Sequence, residues 1–380
     1  MSSPHELTGE QEEFRRVVAA FADEVVAPAA DAFNAEGRFP VELVHQMGEM
    51  GLFGIPFPEE YGGMGGDELT LCLAIEELGR VDQSVGITLE AGVGLGAAPI
   101  HAFGTPEQKQ RWLPELARGE RLAAFGLTEP GGGTDVVGAT RTRAVRDGDE
   151  WVIDGSKQFI TNAGTPITSV VTVTAITAPG EMTAIVVPTD TPGLSVAPPY
   201  RKVGWHASDT RELTFDGVRV PVEHTLGPPG AGFRQFLEIL DFGRIAIAAL
   251  AVGLIQGCVD ECVRYARERE TFGRPIGSYQ AVAFKIADLE VAAQTARQMY
   301  RYACWRRMSG LPHKREASIA KLYATEQAVT AAREATQIFG GMGFTTETRV
   351  GRFYQDAKIL EIGEGTSEVQ RLLIGRELGL

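Results

Sequence analysis

The chain has 380 residues, of which 44% are hydrophobic and 23% are charged, a composition typical of a globular protein with a full core. Its formal net charge of −14 would repel phosphate backbones, and no basic run with interleaved aromatic residues offsets that charge. We therefore predict two or three domains and no nucleic-acid partner.

No targeting segment, membrane span or metal site is predicted. The N-terminal stretch MSSPHELTGEQEEF lacks a basic segment followed by an apolar one, so we expect a cytoplasmic location. The longest apolar run, residues 245–255, is shorter than the ~20 residues that cross a bilayer and predicts a buried helix. Cys258 and Cys262 are one helical turn apart, but no second Cys or His pair accompanies them, and the six histidines are scattered.

The first region, residues 1–122, has helical periodicity. Thr8 and Gln11 form a capping box before apolar residues at helical spacing, and Thr105 is a predicted N-cap. Between these positions, VELVHQMGEMGLFG and LTLCLAIEELGRV also predict helices. This region is interpreted as an N-terminal helical domain.

Residues 123–230 have a different pattern, in which β-branched runs alternate with Asp-Gly pairs. Such pairs are typical of tight hairpin turns, so we predict a middle antiparallel β domain. The pairs are Asp147-Gly148, Asp154-Gly155 and Asp216-Gly217.

From residue 231 to 380 the helical period returns in long blocks. They cover about 231–270, 280–309 and 314–338 and are followed by a shorter terminal pair, which together predict a helical bundle. Because strands and helices do not alternate, the fold class is α+β and not a doubly wound sheet.

Three glycines in FGLTEPGGGTD, residues 125–135, follow a predicted strand. Glycine-rich loops let a backbone approach a ring or a phosphate, but they also simply make turns, and alone the segment favours a turn. Neither GxGxxG nor GxxxxGK[ST] is present, so a Rossmann or P-loop interpretation fails.

Other segments also leave two interpretations open. The arginines of RERETFGRPIGSYQ suit a helix C-terminus but could clamp a pyrophosphate, and FGGMGF is either a glycine C-cap or a backbone against a cofactor. Asp241 and Arg244 in LDFGRI form either an intrahelical ion pair or a charged face of a cleft.

The stretch EIGEGTSEVQ places Glu364 between Gly363 and Gly365, near the C-terminus. A solvated acid ahead of a helix opened by a Ser367 and Gln370 capping box is one interpretation. That interpretation leaves the paired glycines unexplained.

Together, the order and spacing of these segments resemble the acyl-CoA dehydrogenases, which are FAD-dependent flavoenzymes. The resemblance covers nearly the whole chain, through PEEYGGMGG, GTPEQKQRWLP, LTEPGGGTD, KQFITNAG, SDTRELTFDGVRVP, RERETFGRP, QIFGGMGF and GEGTSEVQRLLIGREL. It implies an N-terminal α-helical domain (1–122), a middle antiparallel β domain (123–230) and a C-terminal four-helix bundle (231–380), assembled as a homotetramer.

The resemblance also implies the site. Glu364 is the expected base, and the residues expected to bind the acyl-CoA are Thr134, Asp241, Arg244, Glu364 and Gly365. The residues expected to hold FAD, partly across a subunit boundary, are Phe125, Leu127, Thr128, Gly133, Thr134, Phe159, Ile160, Thr161, Arg269, Phe272, Gln280, Gln337, Gly340, Gly341, Thr366 and Glu368.

The implied reaction is α,β-dehydrogenation of an acyl-CoA to a trans-2-enoyl-CoA, with electrons passed to an electron-transferring flavoprotein. The thioester carbonyl would accept hydrogen bonds from a flavin ribityl hydroxyl and from the N–H of Glu364. Some branched-chain members place the base just before the arginine that matches Arg244. Gly243 occupies that position here, so it cannot be the base.

Two residues depart from the family pattern. Phe159 stands where many members have tryptophan, a change that keeps stacking on the flavin and bears on its redox tuning. Gly363 stands where many have tyrosine and bears on the acyl pocket; with the small residues of TLEAGVGLGAAPI, residues 88–100, it favours a short, medium or branched acyl chain. The alternatives are an oxygen-using acyl-CoA oxidase or related flavin monooxygenase, and a non-catalytic subunit of a paired assembly.

Overall fold

The N-terminal region is helical, as its periodicity predicts. The computed structural model describes residues 6–380, so His5, one of the scattered histidines, lies outside the described residues. The helices are α1 (Gly9–Phe21), α2 (Ala27–Glu36), α3 (Val41–Glu49), α4 (Glu68–Val81), α5 (Gln83–Glu90), α6 (Ala98–Phe103) and α7 (Pro106–Ala117).

Local sequence signals fix several of these helix ends. The capping boxes at Thr8 and Thr105 are confirmed, each with reciprocal hydrogen bonds to the glutamine three residues later. Two π-helical segments, Ala22–Val26 and Ala91–Ala97, join α1 to α2 and α5 to α6. A π segment widens the helical turn and is frequent at functional sites. The second of them lies within the stretch 88–100.

The middle region forms a sheet. Within residues 6–380 it has seven strands in the order β1-β4-β2-β3-β7-β6, with β5 beside β4. Most pairs are antiparallel, as predicted, but β4 pairs with β1 and β2 in parallel, so the sheet is mixed. The strands are β1 (Leu122–Gly126), β2 (Arg143–Asp147), β3 (Glu150–Thr161), β4 (Thr168–Ala178), β5 (Glu181–Pro188), β6 (Leu194–Val196) and β7 (Thr210–Pro221), and the short helix α8 (Val136–Ala139) follows β1.

Only one of the three Asp-Gly pairs is a hairpin turn. Asp147-Gly148 connects β2 to β3, with Gly148 at φ 63°. The predictions for Asp154-Gly155 and Asp216-Gly217 are wrong, because both pairs lie inside long strands. They face each other across an irregularity in the β3–β7 ladder, where the N–H of Gly217 donates to Asp154 Oδ1 at 2.8 Å. The glycines therefore accommodate bulges, which need the same positive φ as turns.

The C-terminal region forms the predicted bundle. The helices α9, α10 and α11 pack against one another, and α12 packs on α9 and α11. α4 also packs along α9, which joins the N-terminal helices to the bundle. The elements are α9 (Gly232–Glu268), a small hairpin of β8 (Glu270–Thr271) and β9 (Arg274–Pro275), α10 (Gln280–Met308), α11 (Lys314–Phe339), α12 (Arg349–Leu360) and α13 (Ser367–Glu377).

Two helical stretches are long and apolar enough to cross a membrane by length and composition, Gln83–Phe103 and Gly232–Glu268. Inside the fold, 78% and 94% of their most apolar windows are buried. Core helices meet the same criterion, and the apolar run 245–255 lies within the buried part of α9.

A buried ion pair anchors the glycine-rich loop after β1. Lys157 Nζ on β3 donates to Glu129 Oε1 at 2.8 Å and to the carbonyl of Leu127 at 3.2 Å. Glu129 also accepts the backbone N–H groups of Arg141 and Thr142. Both side chains of the pair are buried, so the loop conformation depends on their pairing.

We expect Lys157→Met to lower the free energy of unfolding by about 3–5 kcal/mol, because it leaves the buried Glu129 carboxylate without its cation. Arg219→Met is the matched control, since Arg219 pairs with Asp147 and Glu150 while 47% exposed and should cost less than about 1 kcal/mol. Denaturant unfolding of both variants measures the difference. Equal losses would show that burial does not set the strength of the Lys157 pair.

Candidate active site

Glu364 lies in the loop between α12 and α13, in a left-handed backbone conformation with φ 52°. Hydrogen bonds brace the loop on both sides: the N–H of Gly363 donates to Ile359 O at 2.8 Å and the N–H of Ser367 to Glu361 O at 3.0 Å. Lys321 Nζ on α11 donates to the carbonyl of Gly365 at 2.8 Å. A non-glycine residue in this conformation is strained, and such strain concentrates at functional sites.

The two positions beside Glu364 are occupied by glycine for different physical reasons. Gly365 has φ +94°, and a Cβ there would lie 2.9 Å from Gln370 Nε2, so the position requires glycine. Gly363 has no left-handed φ, and a Cβ there would meet only Ile359 O at 3.5 Å. The backbone thus explains Gly365, whereas Gly363 leaves space beside the base.

The predicted capping box at Ser367 and Gln370 is wrong. The N-cap of α13 is Thr366, whose hydroxyl accepts from the N–H of Val369 at 3.4 Å. Gln370 instead turns back on the loop, and its Nε2 donates to Gly365 O at 2.9 Å. The helix therefore begins one residue earlier than predicted, and Gln370 holds the backbone after Glu364 instead of capping the helix.

The carboxylate of Glu364 occupies the space that a side chain at Gly243 would fill. A Cβ built on Gly243 lies 2.0 Å from Glu364 Oε2 and 3.4 Å from Leu95 Cδ2. The residue as a whole is half-buried, but Oε2 has no contact with solvent. A glycine in the middle of the buried part of α9 therefore has a packing reason, which is to admit the acid from the loop.

Burial controls the acidity of this carboxyl. It raises the pKa of Glu364 to about 7, and Lys321, Glu90 and Arg244 each act in the opposite direction. Burial also lowers the pKa of Lys321 to about 8, against the effect of Glu364. A carboxyl with a pKa near 7 is suited to proton abstraction at neutral pH.

Two of these neighbours were missed by the sequence reasoning. Glu90, at the end of α5, is fully buried, and burial together with Glu364 raises its pKa well above the ordinary range. Lys321 is fully buried on α11. A single acid within the small and apolar stretch 88–100 was a signal for Glu90, whereas nothing in the sequence around Lys321 distinguishes it from a surface lysine.

Asp241 and Arg244 form an intrahelical ion pair, which is one of the two arrangements that the sequence left open. Arg244 Nη1 lies 2.5 Å from Asp241 Oδ1, and both side chains are buried. Lys314 Nζ lies 3.7 Å from the other oxygen of Asp241. The pair also sets the electrostatics of the base, because Arg244 lowers the pKa of Glu364. The role of both residues in substrate binding stays a prediction.

The middle-domain residues expected at the flavin come together at the ends of β1 and β3. The N–H of Gln158 donates to Thr128 O at 2.8 Å, which joins the segment from Phe125 to Thr134 to Phe159, Ile160 and Thr161. Phe159 is 58% exposed, with φ 60°, and its ring lies 5.2 Å from that of Tyr200. At Gly133 a Cβ would meet only Thr128, at 3.8 Å, so the loop backbone is bare.

The C-terminal residues expected at the cofactor form a second group. Tyr265 stacks on Phe339 with ring centroids 4.1 Å apart, which brings the end of α9, with Arg269, beside the turn of Gly340 and Gly341. Phe272 projects from the β8–β9 hairpin and is 94% exposed. Along residues 6–380, no hydrogen bond, ion pair or ring contact joins this group to the group on the middle domain. The remaining members, Gln280, Gln337, Thr366 and Glu368, lie at or near helix ends of the same bundle.

Comparison with known families and structures gives matches over almost the whole chain. Models of the acyl-CoA dehydrogenase N-terminal, middle and C-terminal domains match residues 8–120, 124–218 and 230–379. The domain boundaries drawn from sequence at 122/123 and 230/231 stay predictions.

Individual relatives are similar in sequence and in structure. A probable acyl-CoA dehydrogenase, YngJ, of Bacillus subtilis (strain 168) is 50% identical, over 98% of this chain and 99% of its own. Butyryl-CoA dehydrogenase from Megasphaera elsdenii superimposes with a TM-score of 0.95 at 38% identity, over 100% of both chains. A chain solved in work on the electron transferring flavoprotein of Acidaminococcus fermentans has a TM-score of 0.95 at 41% identity, over 98% of each chain.

The two glycines beside Glu364 provide a matched pair of substitutions. We expect Gly365→Ala to lower the free energy of unfolding by about 1–3 kcal/mol, because alanine is strained at φ +94° and meets Gln370. Gly363→Ala should change it by less than about 1 kcal/mol in either direction. Denaturant midpoints of the two variants check this, and a Gly363 variant that loses as much as the Gly365 variant would contradict it.

Proposed function

The chain belongs to the acyl-CoA dehydrogenase family, and from that premise we propose that Glu364 is the base that removes the α-proton of an acyl-CoA thioester. The observation that carries the proposal is the Glu364 carboxylate, enclosed against Gly243 with a pKa raised to about 7. The product is the trans-2-enoyl-CoA, since loss of the α-proton is coupled to loss of a hydrogen from the β-carbon.

The α-proton of a thioester is only weakly acidic. The site must therefore raise the proton affinity of the base and also stabilise the developing enolate. A base whose pKa is close to the working pH combines an adequate ionised fraction with adequate proton affinity. Lys321 helps to hold the ionised form, because its ammonium opposes the effect of burial on Glu364. It also fixes the carbonyl of Gly365, and thereby the loop from which the base projects.

The backbone of Glu364 offers a donor for the thioester carbonyl. In the described part of the chain, the Glu364 N–H donates no hydrogen bond, whereas the N–H groups of Gly363 and Ser367 in the same loop are paired. An N–H that is pre-positioned and unpaired stabilises an oxyanion without reorganisation. The same residue then provides both the base and a donor to the carbonyl.

The residues present fit FAD, and the family is FAD-dependent. Phe159 offers an exposed ring, Gly133 a bare backbone, and Gly340 and Gly341 a turn where an added Cβ would meet nothing within 4 Å. When bound, FAD supplies the acceptor for the two electrons that leave the substrate. Because the middle-domain group and the bundle group are not joined within one chain, we infer that a second copy supplies the bundle group, in agreement with a homotetramer.

A short acyl chain suits the surroundings of the base. Glu90, Leu95 and Phe242 lie around the position of Gly243 and Gly94, and Glu90 and Phe242 are buried there. The relative from Megasphaera elsdenii is a butyryl-CoA dehydrogenase, which supports butyryl-CoA as the first substrate to test.

The electron acceptor is proposed to be an electron-transferring flavoprotein, and the similarity to a chain solved in work on such a protein supports this. An acyl-CoA panel scored anaerobically by flavin bleaching, from butyryl-CoA to longer and branched chains, tests substrate and reaction together. Peroxide release as fast as dye reduction would assign the chain to the oxygen-using alternative. Absence of bleaching with every member would overturn the proposed function.

We expect Glu364→Gln to lower the rate of flavin bleaching by about 10²–10⁴-fold, because the amide cannot accept the α-proton. Binding of acyl-CoA should persist, since the backbone N–H remains. Stopped-flow bleaching and ligand titration separate the two effects. Glu361→Gln, which removes a nearby acid paired with Lys358, is the control and should keep the wild-type rate. Unchanged bleaching in Glu364→Gln would exclude it as the base.

Gly243→Ala tests whether the space at Gly243 is needed to position the Glu364 carboxylate. Its methyl group would lie 2.0 Å from Glu364 Oε2, so the carboxylate must move away. A displacement of about 1 Å can cost on the order of 10²-fold in rate. We expect kcat to fall by about that factor while flavin content is unchanged, measured by steady-state kinetics and the absorbance spectrum of the purified protein. A wild-type kcat would mean that the carboxylate is not confined by Gly243.

A further inference from the structure

Asn162 is a buried amide that joins the middle domain to the N-terminal helices. It follows directly after β3, the strand that carries Phe159, and it is fully buried. Its Nδ2 donates to the carbonyl of Thr88 on α5 at 3.1 Å. The contact therefore links the strand expected at the flavin to the helix that leads to Leu95.

The backbone at Asn162 is fixed within the middle domain. Its φ is 60°, a left-handed conformation that asparagine adopts more readily than most other residues. Its N–H donates to Asp209 O at 3.0 Å, and its carbonyl accepts from the hydroxyl of Thr168. Because the turn is held in this way, a movement of the turn would be passed through the side chain to Thr88.

The chemistry of the contact fixes the orientation of the amide. A carbonyl oxygen can only accept, so Nδ2 and not Oδ1 of Asn162 must face Thr88. Oδ1 is buried and, among residues 6–380, has no hydrogen-bond partner. A buried acceptor without a donor lowers stability, whereas an apolar side chain of similar size would avoid that loss. The asparagine is therefore explained by the bond that it makes to α5 and not by packing.

Thr88 lies where the helix changes its hydrogen-bond pattern. The π segment Ala91–Ala97 begins three residues later, and the carbonyl of Thr88 also accepts from the N–H of Ala91. A side chain that enters the helical ladder from outside is an identifiable cause of departures from α geometry. The amide of Asn162 is thus placed to hold the start of the π segment.

The π segment contacts both the middle sheet and the position of the base. A Cβ built on Gly96 would lie 2.3 Å from the carbonyl oxygen of Ala123 on β1, so the segment packs directly on that strand. Leu95, the preceding residue, lies 3.4 Å from the Cβ position of Gly243, where the Glu364 carboxylate also lies. A shift of this segment would therefore change the distance between the base and the strands of the middle domain.

We propose that Asn162 is a positioning residue that fixes the separation between the end of β3 and the π segment beside Glu364. This inference rests on the proposed function, because it requires Glu364 as the base and FAD at Phe159. The α-proton must reach the base while the hydrogen of the β-carbon reaches the flavin, so both groups must lie at the right distance from one substrate. Asn162 touches neither the substrate nor the flavin in this account, and it acts through the two elements that it joins.

Two substitutions remove the donor and keep the turn. Asn162→Gly deletes the side chain at a position whose left-handed φ suits glycine. Asn162→Asp keeps the shape of the side chain but replaces the donor with a carboxylate oxygen that faces Thr88 O. Because both variants lose the same bond by different routes, a shared effect is assigned to that bond.

Gln108→Glu is the matched control. Gln108 on α7 is another buried amide between the N-terminal helices and the middle domain, since its Nε2 donates to Glu223 O at 2.6 Å and to Thr225 O at 2.9 Å. Glutamate at this position keeps the capping box with Thr105. Neither Gln108 nor its partners are among the residues expected at FAD or at the acyl-CoA.

The first measurement is steady-state kinetics per bound flavin, with the acyl-CoA that the wild type oxidises fastest. In both Asn162 variants we expect kcat to fall by about 10–10²-fold, because small displacements of reacting groups are costly, while KM changes by less than about threefold since the α9 residues expected to bind CoA are unchanged. Gln108→Glu should keep the wild-type kcat. A wild-type kcat in both Asn162 variants, or an equal fall in Gln108→Glu, would overturn the proposal.

The second measurement does not use activity. Amide hydrogen exchange of peptides that cover residues 86–97 reports local opening of the helix next to Asn162. We expect about tenfold faster exchange there in both Asn162 variants, as for the loss of one buried hydrogen bond, and wild-type rates there in Gln108→Glu. Unchanged exchange in both Asn162 variants would also overturn the proposal. If no acyl-CoA bleaches the wild type, the proposed function fails, and this measurement still decides whether Asn162 holds the π segment.

Discussion

Everything at the candidate site depends on one carboxylate, Glu364, being taken out of water. Burial disfavours its charged form and raises its pKa to about 7, while Lys321 and Arg244 keep the ionised form accessible. A fully compensated carboxylate would be too weak a base, and an uncompensated one would remain protonated. The site lies between these limits because the cations are placed beside the acid while its oxygen Oε2 faces a glycine.

This constraint explains why several elements carry unusual residues. The loop at Glu364 adopts a left-handed conformation, and Gly365 and Gln370 hold it there. Helix α9 has a glycine at position 243, and the carboxylate of Glu364 occupies the space that a side chain there would fill. The helical path from α5 to α6 widens into a π segment directly after Glu90. These deviations from regular structure surround the same two carboxyls, as expected where local rules yield to function.

In the middle domain, a buried ion pair fixes the backbone and does not tune a base. Lys157 and Glu129 are buried and paired, and they fix the glycine-rich loop relative to β3. Asn162, just after the expected flavin-facing residues, donates to the carbonyl of Thr88 on α5. The strand that carries Phe159 is therefore connected to the helix that carries Glu90. The middle-domain sheet and the helices beside Glu364 are thus joined by a direct buried hydrogen bond.

Local signals made much of this predictable. The capping boxes at Thr8 and Thr105, the helical periods and the acid between two glycines could all be identified from neighbours along the chain. The errors have the same origin: Asp-Gly pairs suit bulges as well as turns, and a Ser-to-Gln spacing cannot show that Gln370 bonds backward to the loop. The sequence by itself determined the three-region architecture and the candidate base, because helix and strand periods and short motifs are local. Only the tertiary structure decided that Glu90, Gly243 and Lys321 meet Glu364, since burial and pKa depend on contacts between distant segments.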